Sequence, residues 1–343
     1  MPIVTVLLPV YNGEKYLQEA IESILQQSFS DFEFLIIDDG STDNSRSIIE
    51  QFSDHRIRLL TNPKRLRLSG VLNRGLQEAK GKYIARMDAD DIALTQRLQQ
   101  QVTFMESNPL VGLCGSAIEI FGENIKVRTD IYPENSEKIH AYALFDCPFC
   151  HPAVMLRKYM VLENELNYDG SYYPTEDYEL WSRAIKLFPV ANLSEVLLKY
   201  RVHEESMTGS DWDQMDRQAT RIIRGQLQKL GIEPSGEDLL LHRNVGRGRS
   251  CLLNEITGLD KSEMWLQHLI DKNYEIRKYD ERVFAKTVAM IWFRLCMNNS
   301  VHGFKVMKKF RLSSLASGNN SHKQLSLLLL SVLKNKFATV SQH

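Results

Sequence analysis

The chain has 343 residues, 43% of them apolar and 25% charged, with a net charge of −1. That balance supplies an ordinary core and excludes bulk disorder, while the length suggests two domains. No apolar run reaches the roughly 18 residues of a membrane span, the longest late one being "LSLLLLSVL" at 325–333.

The first 115 residues alternate short apolar runs with amphipathic stretches. "IVTVLLPV" (3–10) predicts a strand, and with no basic n-region it does not read as a leader peptide. Leu17, Ala20, Ile21, Ile24 and Leu25 follow at helical spacing. "FEFLIID" (32–38) predicts the second strand, with Ser41 or Thr42 capping a helix through Ile48, Ile49 and Phe52. "IRLLT" (57–61) is the third strand, "SGVLNRGLQEAKG" a helix stopped by Gly81, and "KYIARM" the fourth strand. Such alternation implies a mostly parallel sheet with helices on both faces, and it places ligands outside the carboxyl ends of the strands. Strands near 116–121, 152–156 and 195–202 and a helix near 177–187 come next. Beyond 212 the pattern is helical, over 213–230, 236–255, 261–272, 280–297, 302–312 and 323–337. The break "ESMTGSDW" (205–212) separates an expected catalytic domain, 1–210, from a helical C-terminal domain, 211–343.

The strand ends carry the acids. Asp88, Asp90 and Asp91 close the fourth strand. Carboxylates this close repel one another and resist desolvation. A D-x-D at a strand end suits a hard divalent cation, with one carboxylate on the metal and another on a ligand hydroxyl. A solvated, helix-capping turn is the plain alternative. Asp38 and Asp39 follow strand two, where a carboxylate can accept the imide N–H of a uracil and Gly40 allows a tight turn. A capping turn explains them as well. Tyr11 and Asn12 lie just past strand one, Tyr11 being either a stacking ring or a rim residue of the core. In "YPTEDYELWSRA" (173–184), Glu176 and Asp177 stand at a helix start, where the dipole favours carboxylates. The functional reading makes Asp177 a general base for a hydroxyl nucleophile.

Several classes are disfavoured. "PVYNGEKY" replaces the GxGxxG of a dinucleotide fold. "CPFCHP" (147–152) contains the haem-attachment pattern, but haem attachment requires export; its CxxC is not at a helix start either. Five cysteines with no leader imply free thiols in a reducing compartment, hence a cytoplasmic protein. From Val301 to His343 there are seven cations (Lys305, Lys308, Lys309, Arg311, Lys323, Lys334, Lys336) and no acid. A basic, Leu-bearing tail suits an anionic membrane surface or a solvated helical hairpin. Without interleaved aromatics it does not suit nucleic acid.

"PVYNGEKYL", "LIIDDGSTDNS", "LNRGLQEAKGKYIARMDADDIAL", "QRLQQQVTFMESNP" and "TEDYELWSRA" resemble, in order, the inverting family-2 glycosyltransferases of bacterial polysaccharide assembly. The resemblance covers roughly residues 1–205. It implies a GT-A fold, an α/β Rossmann-like architecture followed here by an all-helical C-terminal region, and a UDP-sugar donor. Asp39 would contact uracil, with Pro9 and Tyr11 lining the base. Asp88 would meet the ribose or the metal, and Asp90 would ligate Mn²⁺ or Mg²⁺. Asp177 would be the base. "YRVHEES" looks like the family's closing segment, placing Arg201 and His203 near the diphosphate or metal, with His203 as a metal ligand. Arg67 and Asn73 would contact the nucleotide, and His151 and Glu176 the acceptor side or diphosphate. The implied acceptor is a saccharide or a lipid-linked saccharide of O-antigen or capsule assembly. This suggests peripheral contact with the cytoplasmic membrane face. Two rivals fit less well. An aspartate-based phosphohydrolase needs a nucleophile after strand one, and "LLPVYNG" has none. A non-catalytic nucleotide-sugar module has no need of Asp177 beside Asp90.

Overall fold

The computed structural model describes residues 1–123, 125–203, 212–248, 257–316 and 321–340. Most of the "ESMTGSDW" break, the end of "YRVHEES" and the far end of the 236–255 helix lie outside them. Contacts divide the chain into two compact units: Met1–Ile139 with Cys147–Ala219, and His140–Asp146 with Thr220–His343.

In the first unit the elements run β1 (Val4–Val10), α1 (Leu17–Leu25), β2 (Phe32–Asp38), α2 (Ser45–Glu50), β3 (Ile57–Thr61), α3 (Arg67–Glu78) and β4 (Tyr83–Arg86). Then come β5 (Ile92–Ala93), α4 (Arg97–Ser107), β6 (Leu113–Gly122), β7 (Arg128–Asp130), the first half of α5 (Ser136–Tyr142), β8 (Met155–Arg157), α6 (Lys158–Glu163), α7 (Glu176–Ala184) and β9 (Val190–Val202). Among the described residues, nine strands form one sheet in the order β3-β2-β1-β4-β8-β6-β9-β5, with β7 on β6. The β3-β2-β1-β4 block is parallel, β8 runs antiparallel to both its neighbours, and β6 and β9 are again parallel.

Strands β1 and β2 are buried along their whole length, as apolar runs must be when both faces of a sheet are covered. Alternate side chains serve opposite faces. Val4, Val6, Leu8 and Val10 pack with Leu17, Ala20, Ile21 and Ile24 of α1, and Leu7 joins Val71, Leu72 and Leu76 of α3 on the other. The register pairs Val10 with Asp38 and Leu7 with Arg86, so the acid-bearing loops emerge from one edge of the parallel block.

Two local expectations are corrected. Ser41 and Thr42 do not cap α2. The Asn12 N–H donates to Ser41 Oγ at 3.0 Å and the Thr42 N–H donates to Asn12 Oδ1 at 2.9 Å, which ties the loop after β2 to the loop after β1. Gly81 does not end α3, which stops at Glu78. A Cβ at Gly81 would lie 2.4 Å from the Thr5 nitrogen, so glycine is required by close approach of β1. Gly40, by contrast, has the positive φ (81°) its turn was expected to need.

The second unit holds most of α8 (Trp212–Gln228), then α9 (Gly236–Arg247), α10 (Thr257–Ile276), α11 (Glu281–Asn298), α12 (Phe304–Leu312) and α13 (Ser321–Val340). A capping box opens α9: Ser235 Oγ accepts from the Asp238 N–H at 3.1 Å, and Asp238 accepts from the Ser235 N–H at 2.9 Å. His242 is a structural imidazole. Its Nδ1 accepts from Trp265 Nε1 at 3.0 Å, which leaves Nε2–H to donate to the Leu144 carbonyl at 2.9 Å. Burial drops its pKa to about 4, so it stays neutral. No described helix is long and apolar enough to cross a membrane.

Candidate active site

A cavity of about 600 Å³ opens beside the ends of β1, β2 and β4, lined by Pro9, Tyr11, Asp39, Arg67, Asp88, Asp90 and His203, among others. Seven of the residues singled out from sequence therefore share one wall. Asn73, His151, Glu176, Asp177 and Arg201 do not line it.

Asp39 sits at the root of the cavity, almost fully buried. Its carboxylate accepts from Asn62 Nδ2 at 2.6 Å, from the Leu66 N–H at 2.8 Å and from the Arg67 N–H at 2.8 Å. Those bonds hold Arg67 at a φ of +61°, a conformation that costs a non-glycine residue about 1–2 kcal/mol. A carboxylate offers about four lone-pair sites, so one remains for a ligand N–H. The guanidinium of Arg65 lies 3.7 Å from the centre of the Tyr11 ring, extending the cation–π surface at the rim. Sequence reading missed Arg65 and Asn62. Neither has a motif, and both arrive through the fold of the 62–67 loop.

The acidic turn is more crowded than the sequence shows. Donor oxygens of Asp88, Asp90 and Asp91 all lie within 4.8 Å of one another. Burial and the charges of its neighbours push the Asp91 carboxyl well above the usual range. Asp88 is raised too, by burial and by Asp90, against the pull of Arg86. Asp91 Oδ1 accepts from the Arg201 N–H at 2.8 Å, while its Oδ2 is buried with no hydrogen-bond partner. His203 Nε2 is hydrogen-bonded to Asp90 Oδ2 at 3.0 Å, which brings an imidazole nitrogen to the acidic turn. An oxygen-rich cluster with one buried carboxylate oxygen unpaired, and an imidazole alongside, fits a hard divalent cation such as Mn²⁺ or Mg²⁺.

Arg86 is the side chain that sequence reading overlooked. It is 1% exposed and forms an ion pair with Asp88. Burial alone would lower its pKa, but the charge and hydrogen bond of Asp88 outweigh that and raise it. Its signal was legible: an arginine inside the apolar run "YIARM", directly ahead of three acids. Its field also reaches His151, Glu176 and Asp177. Asp177, at the first turn of α7, has its pKa pushed up to about 6 by burial, opposed by the Tyr178 N–H (2.7 Å) and by Arg86. Cys147 Sγ lies 3.8 Å from Asp177 Oδ2. Glu176 is buried, with Oε2 unpartnered, and burial lifts it to about 7. His151 is held by Tyr168 (Nε2 to Oη 3.0 Å) and the edge of Trp181. Burial and Arg86 drive its pKa well below 6.5.

The remaining two residues brace the site. Both amide atoms of Asn73 are spent on the Tyr168 backbone, at 2.8 Å each, so the structure does not bring it to the cavity. The Arg201 guanidinium bonds the Asp90 carbonyl at 2.8 Å, pairs with Glu19 and packs over the Tyr16 and Phe121 rings. These contacts support the acidic turn. Cys114, Cys147, Cys150 and Cys296 form no disulfide.

Residues 5–166 match the model of glycosyl transferase family 2. An uncharacterised glycosyltransferase of Haemophilus influenzae is 31% identical over 320 residues, covering 90% of this chain and 96% of that protein. The chain belongs to glycosyltransferase family 2. Another relative, the Escherichia coli WfgD, is a UDP-Glc:α-D-GlcNAc-diphosphoundecaprenol β-1,3-glucosyltransferase. It is 30% identical, over 63% of this chain and 83% of its own. TarS of S. aureus, solved with UDP-GlcNAc, superposes with a TM-score of 0.57 at 16% identity, over 86% of this chain and 88% of that one. That likeness places this glycosyltransferase in the same GT-A fold.

Proposed function

We propose that this family-2 glycosyltransferase inverts the anomeric centre of a UDP-sugar, moving a hexose or N-acetylhexosamine to a hydroxyl of a saccharide acceptor. We further propose a lipid-linked O-antigen or capsule intermediate as acceptor, met at the cytoplasmic membrane face. The observation that carries the reading is the acidic turn at the cavity, its carboxylate oxygens within 4.8 Å of one another, with Arg86 paired to Asp88 and its charge acting on Glu176 and Asp177. The donor and acceptor named for WfgD support a UDP-linked donor and a β-linked product.

In this reading Asp39 takes the uracil imide N–H on its remaining lone pair, and Pro9 and Tyr11 flank the base. Arg67 lies beside the nucleotide. Asp88, Asp90 and His203 would hold Mn²⁺ or Mg²⁺, and the cation when bound neutralises charge on the departing diphosphate. Asp177 accepts the proton of the acceptor hydroxyl as its oxygen attacks C1 and the bond from C1 to the phosphate oxygen breaks. Attack opposite the leaving group inverts C1, as at inverting glycosidases. Glu176 and His151 shape the acceptor side, and Arg201 steadies the turn that carries Asp90.

Two results are expected here. Isothermal titration of Mn²⁺ should show binding to the wild type in the presence of UDP, and at least a tenfold weaker affinity in Asp90→Asn; equal affinities would remove the metal from this site. A base must be deprotonated to act, so kcat/KM should rise with pH up to about 6 and level off above, with Glu176, near 7, broadening the step. A flat profile from pH 5 to 8 would exclude Asp177 as the base.

A further inference from the structure

We propose that the outward faces of α12 and α13 form a docking surface for an anionic lipid bilayer. The inference rests on the lipid-linked acceptor reading for its purpose, but on the second unit's own geometry for its evidence. Helix α12 buries Val306 and Phe310. Phe304, Lys305, Lys308, Arg311 and Leu312 are exposed, and at roughly 100° per residue they share one side of the helix. Leu312 is 73% exposed, and Val301, just ahead of the helix, is 70% exposed. Lys309, on the flank, is instead tied to Asp260 and Glu263.

Helix α13 repeats the design. Leu328 and Val332 are fully buried. Lys323, Leu327, Leu330 and Lys334 are exposed at i, i+4, i+7 and i+11, which is a single stripe. Leu330 is 63% exposed. A water-facing helix shows polar residues outward. Here large apolar side chains stand outward between cations, and residues 301–343 hold no acid at all. Such a face matches the boundary between headgroups and acyl chains: apolar groups enter, and the long basic stems reach back to the phosphates.

The test is flotation of the full chain with phosphatidylcholine vesicles, with and without phosphatidylglycerol. Recovery should need the anionic lipid and fall with added salt. The triple change Lys305→Gln, Lys308→Gln, Arg311→Gln should weaken partitioning on the order of a hundredfold, from about fivefold per cation. Leu327→Ser with Leu330→Ser should also weaken it, with the circular dichroism unchanged. Equal recovery on neutral and anionic vesicles, or no response to either variant, overturns the proposal. Capture of an acidic protein without any flotation also overturns it, assigning the face to that partner. UDP release to a water-soluble acceptor, measured on the same variants, keeps the two readings apart. Flotation can fail with transfer intact, and transfer can fail with flotation intact.

Discussion

Asp177→Asn is expected to slow glycosyl transfer by about 10²–10⁴-fold, the usual contribution of a positioned base, while UDP-sugar affinity stays within a few-fold of wild type. Asn has the same shape and can still accept the Tyr178 N–H through Oδ1. It cannot take a proton. The same variant should be no less stable than wild type above pH 6. Burial raises the carboxyl of Asp177 from 3.8 to about 6, so the folded chain holds that proton more tightly than the unfolded one. The stability this supplies is complete below about 4 and is lost as pH rises through about 6. Transfer and donor binding measured side by side, with melting curves at pH 5 and 8, check both halves. Transfer within threefold of wild type would assign the base elsewhere.

Arg86→Met is expected to be costly in a different way. Removing one partner of a buried ion pair costs about 3–5 kcal/mol, because the other charge is left without compensation. Asp88 is less buried than Arg86 and can protonate in part, so the lower end of that range, about 3 kcal/mol, is expected. The loss should appear in urea unfolding as a lower midpoint with an unchanged slope. Arg86→Lys keeps the charge and should recover part of it. Arg86 also lowers the pKa of Asp177, so in the Lys variant, where the charge survives, the acid limb of the pH profile should stay near 6, and in Met it should move upward. Equal midpoints in the wild type and Met would show that the pair supplies no net stability.

These two residues also mark where sequence reading succeeds and where it stops. The β1–β4 strands and the alternating helices were legible because burial on both sheet faces forces continuous apolar runs and 3.6-residue spacing. The acids at the strand ends were legible because the topology of a parallel sheet fixes where its ligands sit. The order of the short motifs carried the family. Less was visible where one residue type serves several ends. Ser41 and Thr42 have the chemistry of helix caps, yet they bind Asn12 because two loops meet at one sheet edge. Gly81 looks like a helix stop, yet it answers to the β1 backbone. Asn73 looks like a ligand contact, yet both its amide atoms bond the Tyr168 backbone, and Arg201 reaches back to the Asp90 carbonyl and Glu19.

The sequence by itself determined the parallel α/β core, the strand-end acids, the helical second half and the basic tail, since each follows from periodicity, composition or local spacing. Only the tertiary structure decided that Asp39 clamps the 62–67 loop. It alone showed that the charge of Arg86 acts on Asp177, 91 positions further along the chain. Those are interactions between distant segments, and their energies come from burial and charge, which one-dimensional spacing does not encode.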